Sequence, residues 1–498
     1  MSESVCTVSK SCSGGAITAL PQLPLENATK EVCVVVVEYG RTDDADERSK
    51  EVKAILERAN PLNFSKRKKW TITVVACFFT LLAAAATTSY TMGYPSMTQE
   101  LGCTESQAII GLSAYVISYA ITPLFTSAFS EEFGRQPLYW GSVILAPNIN
   151  VIAVARVLQG AAGSTGTTMV AGTIADIWET HERGVPMAIY SILAFGGTGI
   201  GTITAGWIEA NPQLQWKWIQ WIFMVVAGVH GVVFAFAMTE TRAAIVYARA
   251  VKRLSKNDEV PLPKIAVQKQ SFQQLLWISG TRPLVLLFSE PIIFAISIWL
   301  AFAWGVFYCM IGSMASVFRS IHHFSIGQVG TVNVTLEIAV FIGYLTALLQ
   351  ERMYHKSVKE RSVEARLYFC CVAGLVFPAS MFMFAWFCQP QIHWALLCFA
   401  LTIFYWSTFT IYLAVFNYLA DCYTTYASSA LAGQSLLRNV IGGVFPLFTL
   451  KVSDKLGFTW ANTIYACIAI LLAPIPIASS LTWTTDDIFP WVTHPQAK

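Results

Sequence analysis

Eleven runs of about twenty or more mostly apolar residues recur along this chain, at 70–92, 107–129, 149–174, 187–208, 218–238, 284–313, 329–349, 367–387, 393–415, 427–450 and 459–480. An α-helix needs roughly 20 apolar residues to cross a hydrocarbon core about 30 Å thick. Lipid offers no partners for backbone amides, so only helices and closed barrels can span it, and runs this long exclude barrel strands of about ten residues. The chain is therefore expected to be an all-α membrane protein. Composition agrees: 55% of its 498 residues are hydrophobic and 13% are charged, where a soluble protein carries about 25% charged residues.

The charges orient the runs. Four cations, Lys66 to Lys69, precede the first; the 239–283 segment holds eight Lys and Arg, and 351–366 holds five. Cations concentrate on the cytosolic side, so these segments are expected inside. The 93–106 loop carries Glu100 and Glu105 and no cation, as expected outside. Lys451 and Lys455 are exceptions in a loop expected outside. Five parts follow: a polar cytosolic tail over 1–65 without a signal peptide, a bundle over 66–238, a cytosolic central loop over 239–283, a second bundle over 284–482, and a cytosolic tail over 483–498. The tail's one apolar burst, Val34 to Val37, reads as a short strand at most. The twelve cysteines form no C-x-x-C or Cys/His cluster, which supports neither a metal site nor a disulfide framework. No cofactor is expected. The absence of a G-x-x-x-x-G-K-[ST] loop disfavours an ATP-driven pump.

Within the 149–174 run stands Arg156, and an ionisable side chain at membrane depth is a functional hypothesis by default. Arg156, Gln159, Gly160 and Gly163 are spaced i, i+3, i+4 and i+7, so a helix places them on one face. That face offers a cation, an amide and two places where another backbone can approach closely. In the fifth spanner, Gly197, Gly201 and Ala205, with Gly206 beside them, form a small-residue ladder suited to close helix packing.

Arg156-x-x-Gln159-Gly160 resembles a signature of the fourth spanner in the major facilitator superfamily. Further stretches fall in order. Ser130-Glu131-Glu-Phe-Gly134-Arg135-Gln-Pro is similar to the family's cytoplasmic loop, and Asp176 with Glu182-Arg183-Gly184 to its loop after spanner four. Pro61-Leu-Asn-Phe-Ser…Lys-Trp70, Arg282-Pro…Glu290-Pro291, Gly305-x-x-Tyr308, Asn417-Tyr-Leu-Ala-Asp421 and Leu437-Arg438 resemble the twelve-spanner fungal drug:proton antiporters. The likeness covers roughly 61–490. It departs at Thr198 and Thr202, which stand where the antiporter motif of spanner five carries prolines.

The resemblance implies two pseudo-symmetric six-helix bundles around a central cavity, alternating access, and export of drugs, toxic compounds or secondary metabolites driven by proton entry, without enzymatic activity. An importer or facilitator of a small nutrient or organic acid is the alternative that the missing prolines keep open; an inactive truncated relative is a third. Partners are a small-molecule substrate, protons and membrane lipid, with no nucleic acid, and the chain is expected to be monomeric. The plasma membrane is the expected location, the vacuolar membrane the alternative. Proton coupling needs a titratable group that is alternately exposed, and Glu290, Glu337 and Asp176 are the candidates. Trp304, Tyr308, Tyr412 and Asn417 are expected at the substrate cavity, with Phe307, Tyr405, Trp406, Phe409 and Tyr418 as further aromatic candidates. Asp421 is expected to be structural, and Arg438 to be held by nearby carbonyls or acids rather than by substrate.

The third spanner is deficient. Leu138 to Leu145 is eight residues, about 12 Å of helix against a core of about 30 Å. A truncated helix is expected there, with about a dozen residues missing between Leu145 and Ala146.

Overall fold

A computed structural model describes residues 60–133, 152–179, 182–242, 245–247, 249, 272–423 and 427–481. Every regular element among them is helical. The Val34–Val37 burst, Gly134, Arg135, the 138–145 segment and the 483–498 tail lie outside the described residues.

The first half contains α1 (Lys66–Met92), α2 (Tyr94–Leu101), α3 (Glu105–Phe133), α4 (Ile152–Ile177), α5 (Gly184–Glu209) and α6 (Gln215–Ala237). The second contains α7 (Phe272–Ser289), α8 (Pro291–Ser320), α9 (Ile326–Val332), α10 (Val334–Arg361), α11 (Tyr368–Phe387), α12 (Trp394–Cys422), α13 (Ala427–Leu472) and α14 (Pro474–Leu481). Among the described residues ten helical segments are long and apolar enough to cross a membrane, and α4 adds a further 26 residues.

Local chemistry sets the boundaries. The Ser65 hydroxyl caps α1 by accepting from Lys68 N, and Pro95 starts α2 where a missing N–H costs nothing. Ser325 and Gln328 form a capping box on α9. α13 is two helices joined at Gly457, whose φ of +78° needs a residue without Cβ. Lys451 and Lys455 thus stand on helical residues rather than in an open loop.

Each half is built on the same parallel pairing of its first and fifth spanner, α1 with α5 and α8 with α13. A Cβ on Gly197 would fall 2.5 Å from Leu81 O, and one on Gly201 would fall 2.5 Å from Ala85 O. Glycine there lets α5 lie against the α1 backbone. Where the family has prolines, Thr198 and Thr202 leave α5 unbroken: the Thr198 carbonyl accepts from Thr88 Oγ1 at 2.8 Å, and Thr202 Oγ1 donates to Gly199 O at 2.8 Å. The halves meet along two seams, α5 against α9 and α10, and α3 against α13 and α7. Gly206 belongs to the first seam, where its Cβ would lie 2.8 Å from Gly330 Cα. α8 is the central wall, with Trp299, Phe307 and Phe318 almost wholly buried. α6 is peripheral: Val225, Val229, Val232 and Phe236, spaced for one face, are 60–87% exposed, the surface expected of a helix against lipid.

Candidate functional site

α3 and α4 run parallel, since Gly111 is level with Arg156 and Tyr115 with Gly160. Arg156 is 3% exposed. Its Nη1 donates to Ala86 O at 3.0 Å and to Gln159 Oε1 at 2.8 Å, Nη2 to Thr87 O at 3.2 Å, and Nε to Gly111 O at 3.4 Å. The guanidinium stacks between Tyr90 and Tyr115, 4.4 and 4.5 Å from the ring centroids. It is held by carbonyls, one amide and two π faces; among the described residues no carboxylate pairs with it. Arg156 therefore ties α1, α3 and α4 at one point. Gly160 makes that approach possible, because a Cβ there would lie 2.3 Å from Tyr115 O. The sequence singles out the Arg156 face but gives no sign of its partners: carbonyls belong to every residue type, and Tyr90 and Tyr115 match no motif.

Glu337 lies on α10 in the seam with α5, and Oε1 has no hydrogen-bond partner there. A Cβ on Gly196 would meet its Oε2 at 2.9 Å, and one on Gly199 its Oε1 at 2.3 Å. A carboxyl group of the second half thus rests on a glycine surface of the first, one helical face away from the Gly197–Gly201 ladder.

An aromatic layer fills the interface between the halves. Phe195 of α5 packs on Trp304, Phe307, Phe409 and Tyr412 with centroids 5.2–5.6 Å apart. Arg438 lies in this layer, 4.4 Å from Trp304 and 5.1 Å from Tyr412. Its Nη2 donates to Ser435 Oγ at 3.2 Å, so among the described residues its partners are rings and a hydroxyl instead of the expected carbonyls or acids. Tyr308 joins the layer at 6.3 Å from Trp304. Asn417, five residues past Tyr412 on α12 and so roughly 140° around it, does not share that face. Trp406 turns to α10, donating to Thr346 Oγ1 at 3.3 Å. Tyr405 packs on Phe307 at 5.7 Å, and Tyr418 is 1% exposed. Phe195 has no sequence signal beyond its apolar helix. Beyond the layer, toward the α2 end, a cavity of about 340 Å³ is lined by Thr91, Tyr94, Glu105, Tyr308, Arg319 and Thr449, among others.

The remaining candidates sit at the helix ends. Arg183 Nη2 donates to Ala175 O at 2.9 Å and Trp178 O at 3.3 Å, closing the C-terminus of α4, with Asp176 nearby. Glu182 pairs with Lys66 at 3.8 Å. Glu131 is on α3, its side chain outside the described residues. Glu290 is the residue before α8, makes no cap bond, and faces Tyr423 rather than Arg282. Asp421 accepts from Arg366 Nε at 2.8 Å; Arg366 also pairs with Glu351 and lies 3.7 Å over Tyr354. At the α2 end, hydrogen bonds from Lys217 Nζ and Trp216 Nε1 hold the exposed Glu100 carboxyl below its ordinary range.

The Major Facilitator Superfamily model matches residues 76–446, most of the chain. The chain belongs to that superfamily. The MFS-type efflux pump MFS2 of Trichophyton rubrum is 32% identical over 84% of this chain and 73% of its own length. The major facilitator superfamily multidrug transporter mdrA of Aspergillus fumigatus is 29% identical over 84% and 71%. Among solved structures, a D-xylose-proton symporter covers 82% of this chain and 97% of its own, with a TM-score of 0.58 and 14% identity. The xylose transporter XylE of E. coli in a partially occluded inward open conformation covers 84% and 100%, with a TM-score of 0.56 and 14% identity. These two show the fold.

Proposed function

We propose that this chain is a proton-coupled exporter of small amphipathic compounds, working by alternating access of the two halves across the plasma membrane as a monomer. Efflux pumps and multidrug transporters among its relatives support the direction. The α2 end is the outer one, and both tails and the central loop are cytosolic. The observation that carries the mechanism is Glu337 in the α5–α10 seam. A carboxyl group that bridges the halves takes a proton in one arrangement and releases it when the seam parts. Asp176 and Glu290, placed at helix ends, serve structure. Arg156, Gln159 and Gly160 act as the rigid joint around which α1, α3 and α4 move together, and Gly197, Gly201 and Gly206 are the packing surface on which α5 slides or holds.

The test is efflux from intact cells with ATP held constant. A protonophore stops export, and Glu337→Gln makes the residual rate independent of external pH. A Glu337→Gln protein with the parent pH profile refutes the assignment. Accumulation of the compound, instead of loss, would favour the importer reading.

A further inference from the structure

The charge in the aromatic layer is unbalanced. Arg438 is 9% exposed, its Nε has no hydrogen-bond partner, and its Nη2 has only a hydroxyl. Among the described residues no carboxylate pairs with it. Arg156 contrasts: its three nitrogens reach three carbonyls and an amide oxygen. Stacking on Trp304 and Tyr412 recovers part of the cost of desolvating a cation, but the stack uses the face of the guanidinium and leaves its edge of donors free. The side chain also sits between the halves rather than within one, since Phe195 of α5 packs on both rings that flank it. One turn farther along α13, Gly442 lets Trp304 and Tyr308 pack directly on the helix backbone, for a Cβ there would lie 2.9 and 3.2 Å from them. Tyr308 in turn lines the 340 Å³ cavity. Arg438 thus waits one ring layer beneath that cavity.

We propose that Arg438 is the counter-ion of the transported compound, and that the substrate class is a monoanionic aromatic or amphipathic carboxylic acid. The reading rests on the exporter function above. Its chemistry is a planar donor edge for a carboxylate, ring walls of Trp304, Tyr412 and Phe195 for an aromatic body, and, among the described residues, no carboxylate paired with Arg438. A hydrophilic anion finds no partner in those walls.

Three naphthalenes of similar size that differ in charge test it on purified full-length protein: 1-naphthoate, 1-naphthamide and 1-naphthylmethylammonium, with binding read by quenching of tryptophan fluorescence. Naphthoate is expected to bind at least tenfold tighter than the amide, and the ammonium most weakly. Arg438→Gln brings naphthoate and amide to within twofold. Arg438→Lys keeps the charge but lacks Nε and the fork, so anion preference falls at least threefold; this variant serves if Arg438→Gln does not fold. Tighter binding of the ammonium, no binding of naphthoate, or an anion preference unchanged in Arg438→Lys overturns the proposal. Because binding is read without transport, naphthoate held through Arg438 but not moved by cells upholds this inference while refuting export.

Discussion

Replacing Gly160 with alanine tests whether the Arg156 joint is as tight as described. The new Cβ would lie 2.3 Å from Tyr115 O, 3.0 Å from its carbonyl carbon and 3.1 Å from its Cα. These are backbone atoms of a helix and cannot swing aside. Reaching ordinary contact at 3.4 Å requires α3 and α4 to part by 3.4 − 2.3 = 1.1 Å. Overpacking of this kind costs about 1–3 kcal/mol. The shift also carries Arg156, one turn away, from carbonyls it now reaches at 3.0–3.4 Å. Each hydrogen bond to a charged group is worth about 1.5–3 kcal/mol, so losing one brings the total to about 2.5–6 kcal/mol. For a bundle of this size that is a drop of order ten degrees in detergent melting temperature. Gly184→Ala is the control, because its Cβ meets nothing within 4 Å. Melting curves by fluorescence-detected size exclusion, with efflux in the same cells, read both variants. A Gly160→Ala protein that melts with the parent, or a Gly184→Ala protein equally damaged, would refute the reasoning.

Other outcomes follow from the same geometry. Gly199→Ala displaces the flexible end of Glu337, whose Oε1 lies 2.3 Å from the new Cβ, so pH dependence of efflux should change while melting stays within a few degrees; an unaltered pH profile contradicts the role given to Glu337. Arg156→Ala should abolish efflux and Arg156→Lys retain a part, because lysine keeps the charge but cannot reach α1 and α3 together; efflux at the parent rate per membrane-resident molecule would overturn the joint. Gly457→Ala places a Cβ at φ +78° and ψ 161°, costing about 1–3 kcal/mol, visible as a few degrees of melting temperature; no change would mean the break tolerates another backbone shape. Finally, Leu138 to Leu145 is eight residues, about 12 Å as helix against a hydrocarbon core of about 30 Å. Inserting about twelve apolar residues between Leu145 and Ala146 should raise melting temperature and efflux, and a fall in both would show that the short connection is tolerated.

The sequence alone determined the class of molecule, and did so for a solvent reason. Lipid leaves backbone groups no partner outside the helix, so runs of about twenty apolar residues fix the class as a bundle of membrane-spanning helices. It also determined that Arg156, Gln159 and Gly160 share one helical face, because of helical periodicity, and that Gly197 and Gly201 suit a close approach. What these faces meet was left to the tertiary structure. The carbonyls of Ala86, Thr87 and Gly111 that hold Arg156 are common to all residues and carry no sequence signal. Glu337 was visible as an acid in a spanner, but its seat on Gly196 and Gly199 joins residues more than 130 positions apart. Arg438 shows the difference most sharply. From sequence it is one more buried cation awaiting a carbonyl or an acid; folding brings it ring faces and one hydroxyl instead. Local pattern can say that a charge is buried, whereas whether it is neutralised depends on which side chains the other helices bring to it.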